Sequence, residues 1–232
     1  ERPTGQTSVI GLKAPKMEFV RVGFVGLGMR GPAAVERFTY IPGVEIVALC
    51  DYEKERAEEC QKLLKKASMP EATVYSGEKG YEELCKRDDI DLVYIATDWL
   101  HHFPVAMCAM ENGKHTAIEV PSAMSLKECW ALIDMSEKTR KHCMILENCC
   151  YDWFEMNTLN MAQQGVFGEV IRAQGAYIHN LPIAQLLKSQ RLFLSLPFSK
   201  IFKTNQYRCT QHKASKGKHK SFTGEPSRHL GP

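Results

Sequence analysis

Apolar positions in the first 150 residues form short β-prone blocks, separated by longer segments in which they recur every three or four residues. Residues 19–25 make the first block and residues 44–49 the second. Residues 73–75, 91–97, 115–118 and 143–146 supply four more. Helical spacing follows Pro32 and returns over residues 53–66, 81–86, 103–112 and 125–141. Gly113 is a stop signal for the fourth of these segments. In the fifth, Leu126, Cys129, Trp130, Leu132, Ile133 and Met135 fall largely on one side. Parallel strands need a crossover of helical length, so six strands alternating with helices predict an α/β protein with a doubly wound, mostly parallel sheet. Ligands of such sheets gather beyond the carboxyl ends of the strands, which here means residues 97–102, residues 119–121 and the chain from Glu147 onward.

The first strand runs directly into Gly26-Leu27-Gly28-Met29-Arg30-Gly31, and Pro32 follows where a first-turn proline is tolerated. Strand, glycine turn and helix in that order define a Rossmann-type dinucleotide site. Gly26 permits the tight turn, Gly28 lets a pyrophosphate approach the backbone, and Gly31 allows close helix packing. A glycine motif alone occurs often by chance. The second strand adds an independent feature by ending in Cys50-Asp51, twenty residues beyond Gly31. An acid there accepts hydrogen bonds from the adenosine ribose and repels a 2′-phosphate, so NAD is expected in preference to NADP. Lys54 and Arg56 stand near enough to weaken that preference. Asp51 also reads as a cap for the helix over residues 53–66, and the two roles are compatible.

With 232 residues, 44% hydrophobic and 25% charged, the composition is that of a soluble globular chain. No apolar run approaches the roughly 20 residues that span a bilayer, and the chain opens on Glu1 and Arg2 without an apolar leader. No membrane association is expected, and the compartment stays open between cytoplasmic and exported. The net charge of +3 is unevenly spread: ten of the 30 basic residues but one of the 27 acids lie beyond Asn180, which leaves residues 1–180 at net −6. A nucleic-acid partner is therefore not expected for the main body. The nine cysteines run from Cys50 to Cys209 without a C-x-x-C pair, which predicts buried thiols and no metal site. The adjacent Cys149 and Cys150 read as packing at a strand end.

The glycine motif, Thr97 followed five positions later by His102, and Gly113-Lys114-His115 leading to Glu119-Val120-Pro121 resemble the glucose-fructose oxidoreductase, inositol dehydrogenase and MocA family. Its members join a nicotinamide-binding half to an α+β half that holds a sugar. Most carry Glu-Lys-Pro at the third motif, where the lysine assists proton movement; Val120 cannot do so. That departure is similar to the NAD-dependent branch called glycoside hydrolase family 109, typified by α-N-acetylgalactosaminidase. Residues 21–35, 44–51 and 118–123, Thr97-Asp98-Trp99, Glu147-Asn148-Cys149-Cys150-Tyr151-Asp152, residues 158–169 and Gly175-Ala176-Tyr177-Ile178-His179 carry the likeness, within about residues 17–181.

The resemblance implies NAD as cofactor, held by Gly26, Gly28, Met29, Arg30, Gly31, Asp51, Thr97, Trp99, His102 and Glu119. It implies a glycoside as partner and Glu147, Tyr177 and His179 as catalytic or sugar-binding residues. In that chemistry the sugar is oxidised at C3, the acidified C2 proton is removed, the glycosidic oxygen leaves, water adds and the hydride returns. It also allows a homo-oligomer built on the C-terminal sheet. Each catalytic candidate has a plainer reading. Glu147 would cap a helix starting near Asp152, while Tyr177 and His179 would share the face of a strand over residues 170–178. His101 would be merely solvated.

The expected organisation is a lead-in over residues 1–18, an NAD-binding domain over 19–148, the truncated start of a sugar-binding domain over 149–181, and an atypical basic tail over 182–232. The family continuation includes a Tyr-Pro-Thr-His-Gly segment. Here Glu225-Pro226-Ser227-Arg228-His229 echoes it without the tyrosine, so the tail reads as a disordered or frame-shifted segment, with a basic tail for an acidic partner as the alternative. Three functions stay open: an NAD-dependent glycosidase, a nicotinamide-dependent sugar oxidoreductase, and a nucleotide-binding fragment without turnover.

Overall fold

A computed structural model describes residues 6–172 of the chain. Its sheet has six parallel strands: β1 (Val20–Val25), β2 (Val44–Asp51), β3 (Thr73–Ser76), β4 (Leu92–Ile95), β5 (His115–Ile118) and β6 (Cys143–Ile145). Helices α1 (Gly31–Phe38), α2 (Lys54–Lys66), α3 (Gly80–Cys85), α4 (Trp99–Glu111) and α5 (Leu126–Thr139) form the crossovers. A 3-10 turn at Asn148–Tyr151 then leads to α6 (Trp153–Gln163). The strand order β3-β2-β1-β4-β5-β6 reverses direction between β1 and β4, which are in register from Val22 opposite Leu92 to Val25 opposite Ile95. The doubly wound parallel sheet predicted from the pattern is thus present. The sheet and every described helix lie within one compact unit that ends at Glu169.

Alternate residues of the central strands feed opposite faces. Val22, Phe24 and Tyr94 join Val35, Ala57 and Leu64 beneath α1 and α2. Val25, Val93 and Ile95 join Leu84, Val105 and Met110 on the other side, beneath α3 and α4. Burial on both faces is why these strands read as near-continuous apolar runs instead of alternating ones. Phe24 packs against Tyr94 at 5.1 Å and Phe38 at 5.2 Å between ring centres.

Three local readings are corrected. Helix α4 begins at Trp99, ahead of the expected Phe103, because Asp98 caps it by accepting from the Leu100 N–H at 2.9 Å. Pro104 lies inside the helix and forgoes the bond to the Leu100 carbonyl. In α5 the predicted apolar side is only partly used: Leu132 is buried, whereas Leu126, Trp130 and Ile133 are exposed. Ser136 and Glu137 take buried positions instead, with Ser136 donating to the Lys141 carbonyl and Glu137 accepting from Gln6. The eight described cysteines are all free, but only Cys50, Cys60 and Cys85 are buried. Cys149 and Cys150 are exposed on the 3-10 turn, not packed at a strand end. Among the described residues no cluster suits a metal ion, and no helix is long and apolar enough to cross a membrane. Of the strand expected over residues 170–178, the described residues 170–172 are not extended into a sheet; the rest lies outside the described residues.

At the amino ends of β1 and β4 a double clamp fixes the register. The Arg21 backbone N–H and Nε both donate to Asp91 Oδ2 at 2.9 Å, and Nη2 donates to Oδ1 at 2.8 Å. The Asp91 N–H returns a bond to the Arg21 carbonyl at 2.9 Å. The guanidinium holds the Asp91 carboxyl below the usual carboxylate range. A group depressed on folding contributes stability above its unfolded pKa and loses it as pH falls through the folded value. Asp91→Asn is therefore expected to lower Tm by about 2–8 °C at pH 7. Thermal melts at decreasing pH check the origin: the gap between wild type and variant narrows below about pH 4.

Candidate cofactor and active site

The turn after β1 is shaped by how closely it approaches its neighbours. Gly26 has φ +92°, in the left-handed region, and a Cβ there would lie 2.4 Å from the Thr97 nitrogen beyond β4. A Cβ on Gly31 would lie 2.2 Å from the Gly26 carbonyl oxygen. Both positions exclude any side chain on space alone. Gly28 differs: a Cβ there meets only Arg56 Nη1, at 3.8 Å, among the described residues. Among the described residues nothing requires glycine at position 28, and it leaves an open cradle beside the α1 N-terminus. The first N–H groups of a helix have no intrahelical acceptor, so this end suits an anion such as a pyrophosphate. Met29 and Arg30 lie exposed on the same turn.

Asp51 holds the cradle from β2. Its buried carboxylate accepts from the Leu27 N–H at 2.6 Å through Oδ2 and from the Glu53 N–H at 3.0 Å through Oδ1. Arg56 Nη1 reaches Oδ1 at 3.4 Å. The residue at the start of α2 is Glu53, so Asp51 braces the turn into that helix without being its cap residue.

The sheet ladder continues one residue past the strand ends: Gly26 donates to Cys50, Ala96 to Val25, Glu119 to Ile95 and Leu146 to Ile118. The predicted residues from four strands thereby share one edge. His102, almost wholly buried, points Nε2 at the Thr97 carbonyl (3.1 Å) and Nδ1 at the Pro121 carbonyl (2.6 Å). Both partners are acceptors, so each contact needs a ring N–H; the Nδ1–H form, on the shorter contact, ties the start of α4 to the loop after β5. Glu119 is half-buried and accepts from the Tyr94 hydroxyl at 2.9 Å. Burial first, and then this bond, push the Tyr94 phenol up to about 12. Val120 is exposed and offers no acid or base. Trp99, the first residue of α4, is half-exposed beyond the end of β4.

Glu147 is half-buried ahead of the 3-10 turn and makes no side-chain cap there; α6 is preceded by Asp152, so Glu147 does not cap that helix either. Tyr177 and His179 lie outside the described residues. Arg56 stands beside Asp51, as its place in the sequence led one to expect. Two participants are not evident from the sequence: Tyr94 reads as one more β-prone residue and His101 as a solvated neighbour. His101 Nδ1 lies 2.6 Å from Asp98 Oδ2, on the helix turn that the sequence reading began too late.

A six-stranded parallel sheet with a glycine cradle at its switch point and an acid ending β2 defines a dinucleotide-binding Rossmann fold. Residues 20–147 match the family described as "Oxidoreductase family, NAD-binding Rossmann fold". The chain belongs to this Gfo/Idh/MocA family, and its cofactor is NAD. It is 85% identical over 181 residues to glycosyl hydrolase family 109 protein 5 of Phocaeicola vulgatus, covering 78% of this chain and 35% of that protein. It is 68% identical over 181 residues to glycosyl hydrolase family 109 protein 1 of Bacteroides fragilis, covering 78% of this chain and 39% of that one. The chain thus spans somewhat over a third of the length of the curated relatives it matches. Among solved structures it is similar to myo-inositol dehydrogenase from Lactobacillus casei in complex with NAD(H) and myo-inositol, with TM-score 0.57, 25% identity, and 65% of this chain and 43% of that one covered.

Replacing Asp51 tests the brace and the ribose contact together. Asp51→Ala is expected to weaken NAD by about 10- to 100-fold, the worth of one charge-assisted hydrogen bond or slightly more. Tm falls in parallel, because two backbone N–H groups lose their acceptor. Calorimetric titration of NAD beside thermal melts reads both effects.

Proposed function

We propose that this chain is the cofactor half of an NAD-dependent glycosidase that acts on α-linked N-acetylgalactosaminides. The observation carrying this reading is the 85% identity over 181 residues to a glycosyl hydrolase family 109 protein. Val120, in place of the lysine of sugar dehydrogenases, supports it. Bound NAD supplies a reversible hydride acceptor for the sugar, so no net redox change accompanies hydrolysis. The chain's residues then divide the work. Gly26, Gly28, Met29, Arg30 and Gly31 receive the pyrophosphate, and Asp51 receives the adenosine ribose. Thr97, Trp99, His102 and Glu119 line the nicotinamide end, with Glu119 kept in place by the Tyr94 hydroxyl. Glu147 binds sugar hydroxyls, while Tyr177 and His179 move protons at C2 and at the leaving glycosidic oxygen.

The sugar-binding half starts at residue 149 in this reading, and the exposure of α6 supports it. Trp153 and Phe154 are 78% and 69% exposed, and no residue of that helix is buried. An apolar helix of this kind ordinarily packs on a further layer.

The experiment is an assay in deuterium oxide with an aryl α-N-acetylgalactosaminide and NAD. It uses the 232-residue chain beside a version continued with the second domain of a family 109 relative. The extended protein is expected to release sugar carrying deuterium at C2, since elimination across C1 and C2 exchanges that proton. The 232-residue chain is expected to bind NAD without turnover. Sugar without deuterium contradicts the elimination, and accumulation of reduced cofactor in step with product assigns a sugar oxidoreductase instead. Glu147→Ala, Tyr177→Phe and His179→Ala in the extended protein each lower turnover, by about 10² to 10⁴ where the residue moves a proton.

A further inference from the structure

The amino end of the sheet, opposite the cofactor edge, contains a histidine pair that the proposed chemistry does not use. His115 opens β5, and its half-buried ring meets the chain just ahead of β6. Its Nδ1 accepts from the His142 backbone N–H at 2.9 Å. The His142 carbonyl accepts in turn from the Thr116 N–H at 2.8 Å, and the two imidazoles lie 5.0 Å apart between ring centres. The β5–β6 pairing runs only from Thr116 opposite Cys143 to Ile118 opposite Ile145, so the His115 ring adds one more bond at the start of a short ladder.

That bond matters most where the sheet has least else to hold it. With three residues β6 is the shortest strand, and among the described strands it pairs with β5 alone. Met144 and Ile145 are exposed, so little apolar burial secures it. An imidazole accepts at Nδ1 only while that nitrogen carries no proton. The neutral ring keeps its hydrogen on Nε2 and satisfies the bond, whereas the imidazolium carries hydrogens on both nitrogens and sets donor against donor.

The surrounding charges add to the conflict. Lys141 and His142 act on the ring from the β6 side, and the buried Lys114 precedes it in the chain. The one acid that acts on it, Asp91, has its carboxylate already bound by the Arg21 guanidinium and backbone N–H. Burial first, and then Lys141 and His142, hold the His115 ring below the usual histidine range. A base depressed on folding contributes stability that is complete above its unfolded value of about 6.5 and is lost as pH falls through the folded one.

We propose that His115 is an acid-operated latch on β6: the neutral ring fastens the start of the strand, and the protonated ring releases it. Release extends toward Glu147, which follows β6 after a single residue, Leu146. The latch goes beyond the glycosidase reading and stands without it; only the consequence for Glu147 rests on that reading.

The test is hydrogen exchange of the 232-residue chain at about pH 7.5 and about pH 5, corrected for intrinsic rates, with β4 as the internal reference. In wild type the protection of residues 142–146 is expected to fall by about tenfold or more relative to β4 on acidification. His115→Gln, whose amide oxygen accepts without titrating, keeps its protection at both pH values. His115→Phe has no acceptor and is poorly protected at both. His142→Gln, which retains the backbone bond, still loses protection in acid. Equal protection at the two pH values in wild type overturns the proposal, as does loss in parallel with β4. A His115→Gln protein that loses protection as wild type does also overturns it. One measurement needs no variant: nitrogen NMR of the wild-type ring at about pH 7.5 is expected to show the hydrogen on Nε2, and a hydrogen on Nδ1 overturns the latch.

Discussion

The closeness of the turn after β1 to the end of β4 sets the position of everything on the functional edge. Gly26 touches the Thr97 backbone at a distance no side chain permits, and its own carbonyl is crowded by Gly31 at the start of α1. Those two approaches bring the helix N-terminus to the point where the strand order reverses, which is where an open parallel sheet leaves a crevice. Asp51 then fixes the turn from the other side through the Leu27 N–H. Loss of either approach moves the helix end, and the remaining residues of the edge no longer face a common ligand.

Much of this was legible in the residues because it depends on local rules. The six strands follow from β-prone blocks buried on both faces, and the glycine turn from the need for φ +92° at Gly26. What was not legible depends on contacts between distant segments. The role of Tyr94 requires knowing that the end of β5 lies beside β4, so that its hydroxyl reaches Glu119, 25 positions away. The start of α4 is hard to see because its signal is Asp98, which directly follows a β-prone run and caps the helix by accepting from the Leu100 N–H. The face of α5 was misjudged because Ser136 and Glu137 have partners elsewhere that make their burial tolerable. Of the catalytic candidates, Glu147 sits on the expected edge, while Tyr177 and His179 are outside the described residues.

The division of labour in the proposed glycosidase follows from this architecture. The described unit supplies a rigid edge: backbone ladders tie β2, β1, β4, β5 and β6 in series, and His102 on α4 meets the Pro121 carbonyl of the loop after β5. A cofactor held on such an edge has its reactive end presented beyond β4 and β5. In the proposed reading the chemistry on the sugar belongs to groups that come after β6. Val120, exposed at the end of β5, offers no acid or base to that chemistry.

Gly28 separates a cofactor role from a structural one more cleanly than any other position. Its backbone is outside the left-handed region, and a Cβ there would make an ordinary contact with a flexible arginine. Gly28→Ala should leave Tm within about 1 °C of wild type. A methyl group in the cradle nevertheless holds the pyrophosphate off the backbone, so NAD affinity should fall by about tenfold or more in calorimetric titration. Undiminished NAD affinity in a folded Gly28→Ala protein would contradict the account.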